Sequence, residues 1–191
     1  MSTSRPDPRS PLVVDTRELS RRPGSQRELD VTVPAPADLG IEMLAVPEGS
    51  PIELGLRLEA VMDGVLVTAE ASAALAGECV RCLEPIDDEI DVRFQELYMY
   101  DDTRDAATLD DGPGSEDVSL TDGDLIDLEP ALRDAVVLDL PLQPLCRPDC
   151  AGLCAECGAN LNEDPDHAHA EPIDPRWAGL VGLAAEAEAQ E

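Results

Sequence analysis

The chain has 191 residues, 43% of them hydrophobic but only 2% aromatic, so any core it builds is aliphatic. Against 42 acidic residues stand 13 basic ones, all arginine, for a formal net charge of -29; such a surface repels nucleic acid on average and favours basic partners, unless the excess serves only solubility or a salty cytoplasm. No apolar run approaches the ~20 residues of a membrane span, and residues 1–10 lack the apolar stretch of a signal peptide. The expected location is therefore the cytoplasm. In a reducing compartment six cysteines argue for metal, whereas outside the cell the same six could form three bridges.

Taken in order, the chain opens on a polar, Pro-rich stretch. Leu12-Val13-Val14 reads as a short strand. Asp15 with Glu18 three residues on resembles a capping box, which predicts a short helix closed by the turn Arg21-Arg22-Pro23-Gly24. Arg17, Arg21, Arg22 and Arg27 all lie here, in the one part of the chain that is not strongly acidic. Leu29 to Val33 has a strand pattern stopped by Pro34 and Pro36. Ile52, Leu54, Leu56, Leu58 and Ala60 then alternate with polar or small residues, which predicts a strand with one wet face. Asp63-Gly64 between Met62 and Val65 is a hairpin signal. The return strand carries Val65, Val67, Ala69, Ala71 and Ala73 on one face, and a third strand carries Ile90, Val92 and Phe94. Between these last two strands lies Cys79-Val80-Arg81-Cys82, so the first C-x2-C falls at a hairpin tip.

Asp101 to Gly123 is acid-rich with Gly112-Pro113-Gly114, a solvated linker or loop. From Asp124 the period becomes helical, with Leu128, Leu132, Ala135 and Val136 on one face, Asp127 or a neighbour as cap, and Pro130 confined to the first turn. Pro141 and Pro144 end this helix and deliver the chain to Cys146. Near the end, Asp174-Pro175 predicts a last helix whose apolar side is Trp177, Leu180, Val181 and Ala184, followed by a frayed tail.

Cysteine spacing carries the chemistry. Cys146, Cys150, Cys154 and Cys157 run C-x3-C-x3-C-x2-C, and both histidines, His167 and His169, follow them. Thiolate and imidazole are the ligands zinc prefers, and cysteines two apart are its usual knuckle. With Cys79 and Cys82 there are eight candidate ligands, enough for two tetrahedral ions. One partition groups Cys154, Cys157, His167 and His169 in a local loop. It leaves Cys79, Cys82, Cys146 and Cys150 to tie the hairpin tip to the segment after the helix. Its rival is one ion held by Cys146, Cys150, Cys154 and Cys157, with the histidines in an exposed polar turn. Closed, thiolate-rich sites are structural, whereas a catalytic zinc needs an open position and a nearby acid or base. A redox role for a C-x2-C pair is a further alternative, although no thioredoxin-like βαβ pattern surrounds either pair. No phosphate-binding glycine loop, Walker A sequence or nucleophile elbow is present, so no enzyme is expected.

Four pieces resemble one family in its own order: Arg21-Arg22-Pro23-Gly24-Ser25; Cys79-Val80-Arg81-Cys82-Leu83-Glu84-Pro85; Leu138-Asp139-Leu140-Pro141-Leu142-Gln143-Pro144-Leu145-Cys146; and Gly152-Leu153-Cys154-Ala155-Glu156-Cys157-Gly158-Ala159-Asn160-Leu161-Asn162. Together they resemble the YceD family, the large ribosomal RNA subunit accumulation proteins. The resemblance implies a cytosolic factor needed for normal accumulation of large-subunit ribosomal RNA. Many zinc-type members carry a further Cys-x-Cys where this chain has His167-Ala168-His169, a departure that keeps two ligand-capable residues at the same spacing.

Two routes of action follow. Arg17, Arg21, Arg22 and Arg27, with Arg81 on the hairpin, could contact RNA against the chain's own negative field; alternatively these arginines simply pair with Glu18, Glu28 and Asp30. The other route has an acidic β surface hold a basic ribosomal protein or processing enzyme. No membrane and no small-molecule substrate is implied. A competing function class is a zinc- or thiol-based redox or metal sensor. The expected fold is α+β: a twisted antiparallel sheet or partial β-barrel with a few helices and a Cys-rich zinc knuckle. Its segments are an Arg-containing stretch with a short helix (1–28), a β domain with the C-x2-C hairpin (29–100), an acidic linker (101–123), a helix plus zinc-binding region (124–169), and a terminal helix with a frayed tail (170–191).

Overall fold

A computed structural model describes residues 6–100 and 119–169. The chain forms two compact units, Met1–Cys150 and Ala151–Glu191. Among the described residues the first holds every strand and the helix: β1 (Val13–Asp15), β2 (Gln26–Pro34), β3 (Leu39–Ile41), β4 (Leu44–Val46), β5 (Pro51–Ala60), β6 (Gly64–Glu78), β7 (Pro85–Met99), β8 (Leu125–Asp127) and α1 (Glu129–Asp139). Six strands make one antiparallel sheet in the order β2-β5-β6-β4-β3, with β7 on the remaining edge of β6. β1 and β8 form a separate antiparallel pair. No helix among the described residues is long and apolar enough to cross a membrane.

β6 is the axis of this sheet. All 15 of its residues pair with β7, and its other edge serves β5 from Val65 to Ala73 and then β4 at Ala76 and Gly77. Period two decides which side is wet. Ile52, Leu54, Leu56, Leu58 and Ala60 on β5 are buried, as are Val65, Val67, Ala69 and Ala71 on β6 and Ile90, Val92 and Tyr98 on β7. The register places Leu29, Leu56, Ala69 and Phe94 in one row across four strands. Leu12, Ile126, Leu128, Leu132 and Val136 from β1, β8 and α1 complete the same apolar cluster. Each aliphatic side chain fully buried there contributes about 1.5–3 kcal/mol.

The alternating runs on β5, β6 and β7, the Asp63-Gly64 hairpin and the C-x2-C at the next tip all form as the periodicity predicts. Other expectations need correction. The fold is richer in strand than "a few helices" suggests: among the described residues α1 is the only helix. The short helix expected after Asp15 is a run of turns. The Asp15 carboxylate accepts from the Arg17 N–H at 2.9 Å and the Thr16 N–H donates to the Asp124 carbonyl at 2.8 Å, so the backbone is spent on an Asx turn and on extending the β1–β8 ladder. Residues 125–127, expected to begin the helix, instead form β8. Asp127 still caps: its Oδ1 accepts from the Glu129 N–H at 3.0 Å, one residue before the formal cap position at Leu128. β3 and β4 carry no alternating signal; they are three-residue strands set against the end of β6 by Leu44 pairing with Gly77. The helix expected from Pro175 and most of the acidic linker lie outside the described residues.

Gly77 is what lets β4 approach. A Cβ there would sit 2.1 Å from the Met43 carbonyl oxygen and 2.8 Å from the Leu44 Cα. Gly77→Ala is expected to push β4 off β6 and lower the unfolding free energy by about 1–3 kcal/mol. Urea denaturation checks this; an unchanged midpoint would contradict the close approach.

Candidate metal centres

The turn joining β6 to β7 is built by its backbone. The Cys79 N–H donates to the Glu84 carbonyl at 2.8 Å and the Leu83 N–H to the Cys79 carbonyl at 2.9 Å. Leu83 adopts φ 60°, the left-handed region that costs a side-chain-bearing residue about 1 kcal/mol. The turn then reaches out: the Val80 N–H donates to the Pro144 carbonyl at 3.0 Å, and Arg81 Nη1 donates to the Cys150 carbonyl at 2.9 Å. These two bonds hold the segment after α1 against the hairpin tip.

Four sulfurs meet there. The ligand atoms of Cys79, Cys82, Cys146 and Cys150 all lie within 4.8 Å of one another. Cys79 Sγ is 3.8 Å from Cys150 Sγ, and Cys82 Sγ is 3.5 Å from Cys146 Sγ. Those separations exclude a disulfide, whose sulfurs are about 2.0 Å apart. They match the roughly 3.8 Å edge of a tetrahedron whose four sulfurs sit about 2.3 Å from a central ion. Cys79, Cys82 and Cys150 are buried and Cys146 is half-buried.

The electrostatics are those of four thiols competing for charge. Burial pushes the Cys79 thiol up, but the N–H groups of Cys146, Cys82 and Arg81 outweigh it and hold it at about 6. For Cys82 the Glu84 N–H favours the thiolate, yet burial and the three neighbouring sulfurs carry the thiol up to about 12. Burial likewise raises Cys146. One negative charge therefore settles readily in the cluster and the next ones resist, until a cation neutralises them.

The second unit repeats the turn. The Cys154 N–H donates to the Ala159 carbonyl at 2.8 Å, the Gly158 N–H to the Cys154 carbonyl at 2.8 Å, and Gly158 takes φ 74° where the first turn has Leu83. The ligand atoms of Cys154, Cys157, His167 and His169 also fall within 4.8 Å of one another. Cys157 Sγ lies 3.2 Å from His167 Nε2, which lies 2.9 Å from His169 Nε2. Each Nδ1 faces a carboxylate: Asp164 Oδ2 at 3.7 Å from His167, Glu156 Oε2 at 3.3 Å from His169. A carboxylate within reach of Nδ1, as Glu156 is of His169, favours the Nδ1–H tautomer that leaves Nε2 free, the arrangement of a metal-bound histidine. Two Nε2 atoms 2.9 Å apart are within reach of one shared cation or proton. N–H groups of Cys157 and Glu156 hold the Cys154 thiol down at about 6. These two Cys/His clusters could each hold a metal ion.

The arginines are engaged differently. Arg17 pairs with Asp15, Arg27 with Glu18 at 2.8 Å, and Arg21 with Asp124 at 3.6 Å while lying 4.6 Å from the centre of the Tyr100 ring. Arg22 is exposed. Arg81 is a clamp on the Cys150 loop, a role nothing in its sequence neighbourhood announces. Glu156 and Asp164 are the other residues that spacing alone does not single out; their only signal is proximity in sequence to the cysteine pair and to His167.

Comparison with known proteins points one way. The family model described as "Large ribosomal RNA subunit accumulation protein YceD" matches residues 67–184, a span that contains all eight sulfur and imidazole positions and omits Arg17, Arg21, Arg22 and Arg27. An uncharacterised protein of Mycobacterium tuberculosis is 45% identical over 174 residues, covering 91% of this chain and 82% of that one. The protein of Zea mays called "Large ribosomal RNA subunit accumulation protein YCED homolog 1, chloroplastic" is 32% identical over 130 residues, 56% of this chain and 41% of that one. Bacillus subtilis YlbN is 23% identical over 135 residues, 70% of this chain and 74% of that one. No solved structure gives a significant match.

Two outcomes are expected. Cys150→Ser should remove one of two bound metal equivalents and destabilise the first unit by about 3 kcal/mol or more, read by elemental analysis and urea denaturation. Metal added to the metal-free protein at neutral pH should release protons, because Cys82 and Cys146 hold theirs above the usual thiol range until a cation displaces them. Calorimetry in buffers of different ionisation enthalpy reads that release. Metal uptake with no proton release would contradict it.

Proposed function

Because the chain belongs to the YceD family of large ribosomal RNA subunit accumulation proteins, we propose that it is a non-enzymatic ribosome-assembly factor whose two Cys/His clusters each hold a structural zinc ion. It promotes accumulation or processing of large-subunit ribosomal RNA, in the cytoplasm, by binding the RNA precursor or a basic protein that accompanies it. The observation that carries the metal part is the meeting of the Cys79, Cys82, Cys146 and Cys150 sulfurs, all within 4.8 Å of one another, at the junction of hairpin and post-helix segment. Thiolate-rich and imidazole-containing tetrahedra are zinc's preferred closed sites. The residues that would hold the ions are Cys79, Cys82, Cys146 and Cys150 in one site and Cys154, Cys157, His167 and His169 in the other. A zinc ion held by four protein ligands would supply cross-linking there, a structural rather than a catalytic role.

The same enclosure weighs against a redox or metal-sensing role, since cycling thiols need access and three of the first four sulfurs are buried. Between the two kinds of partner, charge favours a basic protein. Arg17, Arg21 and Arg27 already face carboxylates of their own chain, and the net charge of -29 opposes contact with phosphate. Arg22, exposed, is the member of that set best placed for direct RNA contact.

Depletion of the chain from growing cells is expected to lower mature large-subunit ribosomal RNA relative to the small-subunit species and to enrich its precursors. A tagged copy should recover those precursors on affinity purification. Normal ratios on depletion, with no large-subunit precursor recovered, would overturn the assembly role.

A further inference from the structure

We propose that the free edge of β2 is a docking strand for an extended segment of a partner protein, one that alternates basic and apolar residues. This names the form of the basic protein partner and rests on the assembly reading only for that partner's identity.

The six-stranded sheet has three outer edges. α1 packs against both β7 and β3, and Arg133 on α1 donates to the Ala37 and Asp38 carbonyls just before β3. Edge strands packed by a helix are less open to unwanted pairing than bare ones. β2 has no such cover: among the described residues it pairs only with β5, along its whole length. Ladder bonds at its two ends, the Ala35 N–H to the Ser50 carbonyl and the Ala60 N–H to the Ser25 carbonyl, assign its odd-numbered residues to β5. By alternation, the N–H and C=O groups of Glu28, Asp30 and Thr32 face the open edge.

The side chains beside that edge say what would fit. On the inner face, Val31 is 39% exposed and Leu29 half-buried, whereas their β5 partners Leu54 and Leu56 are each 3% exposed. A groove of ≈ 700 Å³ runs there, between β2 and the Val13–Asp15 strand. Arg17 and Arg27 on its rim are already matched to Asp15 and Glu18. On the outer face the neighbours of an added strand are Glu28 and Asp30, exposed and forming no ion pair among the described residues. A strand added at β2 would lie about 4.8 Å away with alternate side chains on opposite faces. Its inward residues would fill the apolar groove and its outward ones would stand beside two carboxylates, which selects arginine or lysine.

The test uses the full chain, metal loaded. The probe is a peptide as long as β2 that alternates arginine and valine, with a glutamate–valine peptide as control. Binding of the arginine peptide is expected, with slowed exchange confined to the edge-facing amides of Gln26, Glu28, Asp30 and Thr32. Asp30→Pro removes an edge-facing donor without touching the β5 ladder. It should weaken binding at least about tenfold while circular dichroism and metal content stay unchanged. Should that variant misfold, the Glu28→Lys and Asp30→Lys double variant keeps the backbone and should reverse the preference towards the glutamate peptide. Protection elsewhere on the sheet, indifference to these substitutions, self-association through β2, or displacement of the peptide by single-stranded RNA would each overturn the proposal. An Asp30→Pro chain that co-sediments with large-subunit precursors as well as the unmodified one overturns the docking strand and leaves the assembly role standing. Peptide docking without any co-sedimentation does the reverse.

Discussion

Four sulfurs brought into one small volume set the terms for the first unit. Cys82 and Cys146 are 64 positions apart in the chain and 3.5 Å apart in space. Apolar packing contributes only in part at that junction: Leu140 and Pro144 are buried, but Leu83 at the tip and Leu142 after the helix stay exposed. Backbone bonds from Val80 and Arg81 position the two pieces. Charge does the rest: ionised together, the sulfurs repel; neutralised by a shared cation, they become a cross-link.

This dependence follows from the composition. A core with almost no aromatic residues relies on Leu, Val, Ile and Ala, and β6 in particular is lined by small side chains at Ala69, Ala71 and Ala73. Small residues allow strands to pack closely and let Gly77 admit β4, but they bury little area each. Metal ligands gathered at the tip of a long hairpin would compensate where packing is thin, as in other small domains that lack a large core.

The two knuckles make the same turn with different residues at its critical point. Gly158 takes the left-handed conformation without penalty, while Leu83 takes it despite a side chain. Leu83 is 55% exposed, so burial of its side chain does not account for the conformation. What holds it is the pair of turn bonds at Cys79, backed by the sulfur cluster. The cysteine turn thus imposes its geometry on an unfavourable residue in one copy and accepts a favourable one in the other.

Local order made much of this molecule legible. Period-two runs marked β5, β6 and β7 because one face of each is buried and the other wet, and Asp63-Gly64 marked the hairpin because few other residue pairs turn so tightly. The spacing of cysteine and histidine announced ligand chemistry. It left open which four residues share a volume, since Cys146 and Cys150 are as near in sequence to Cys154 and Cys157 as to anything else. That choice was made by the sheet: only the pairing of β6 with β7, and the run of α1 back across the sheet, carries the turn at residues 79–84 to the segment at 146–150. β3, β4 and β8 escaped notice for the same reason. Three residues are too few to show a period, and such strands exist only because a longer partner offers an edge to pair with.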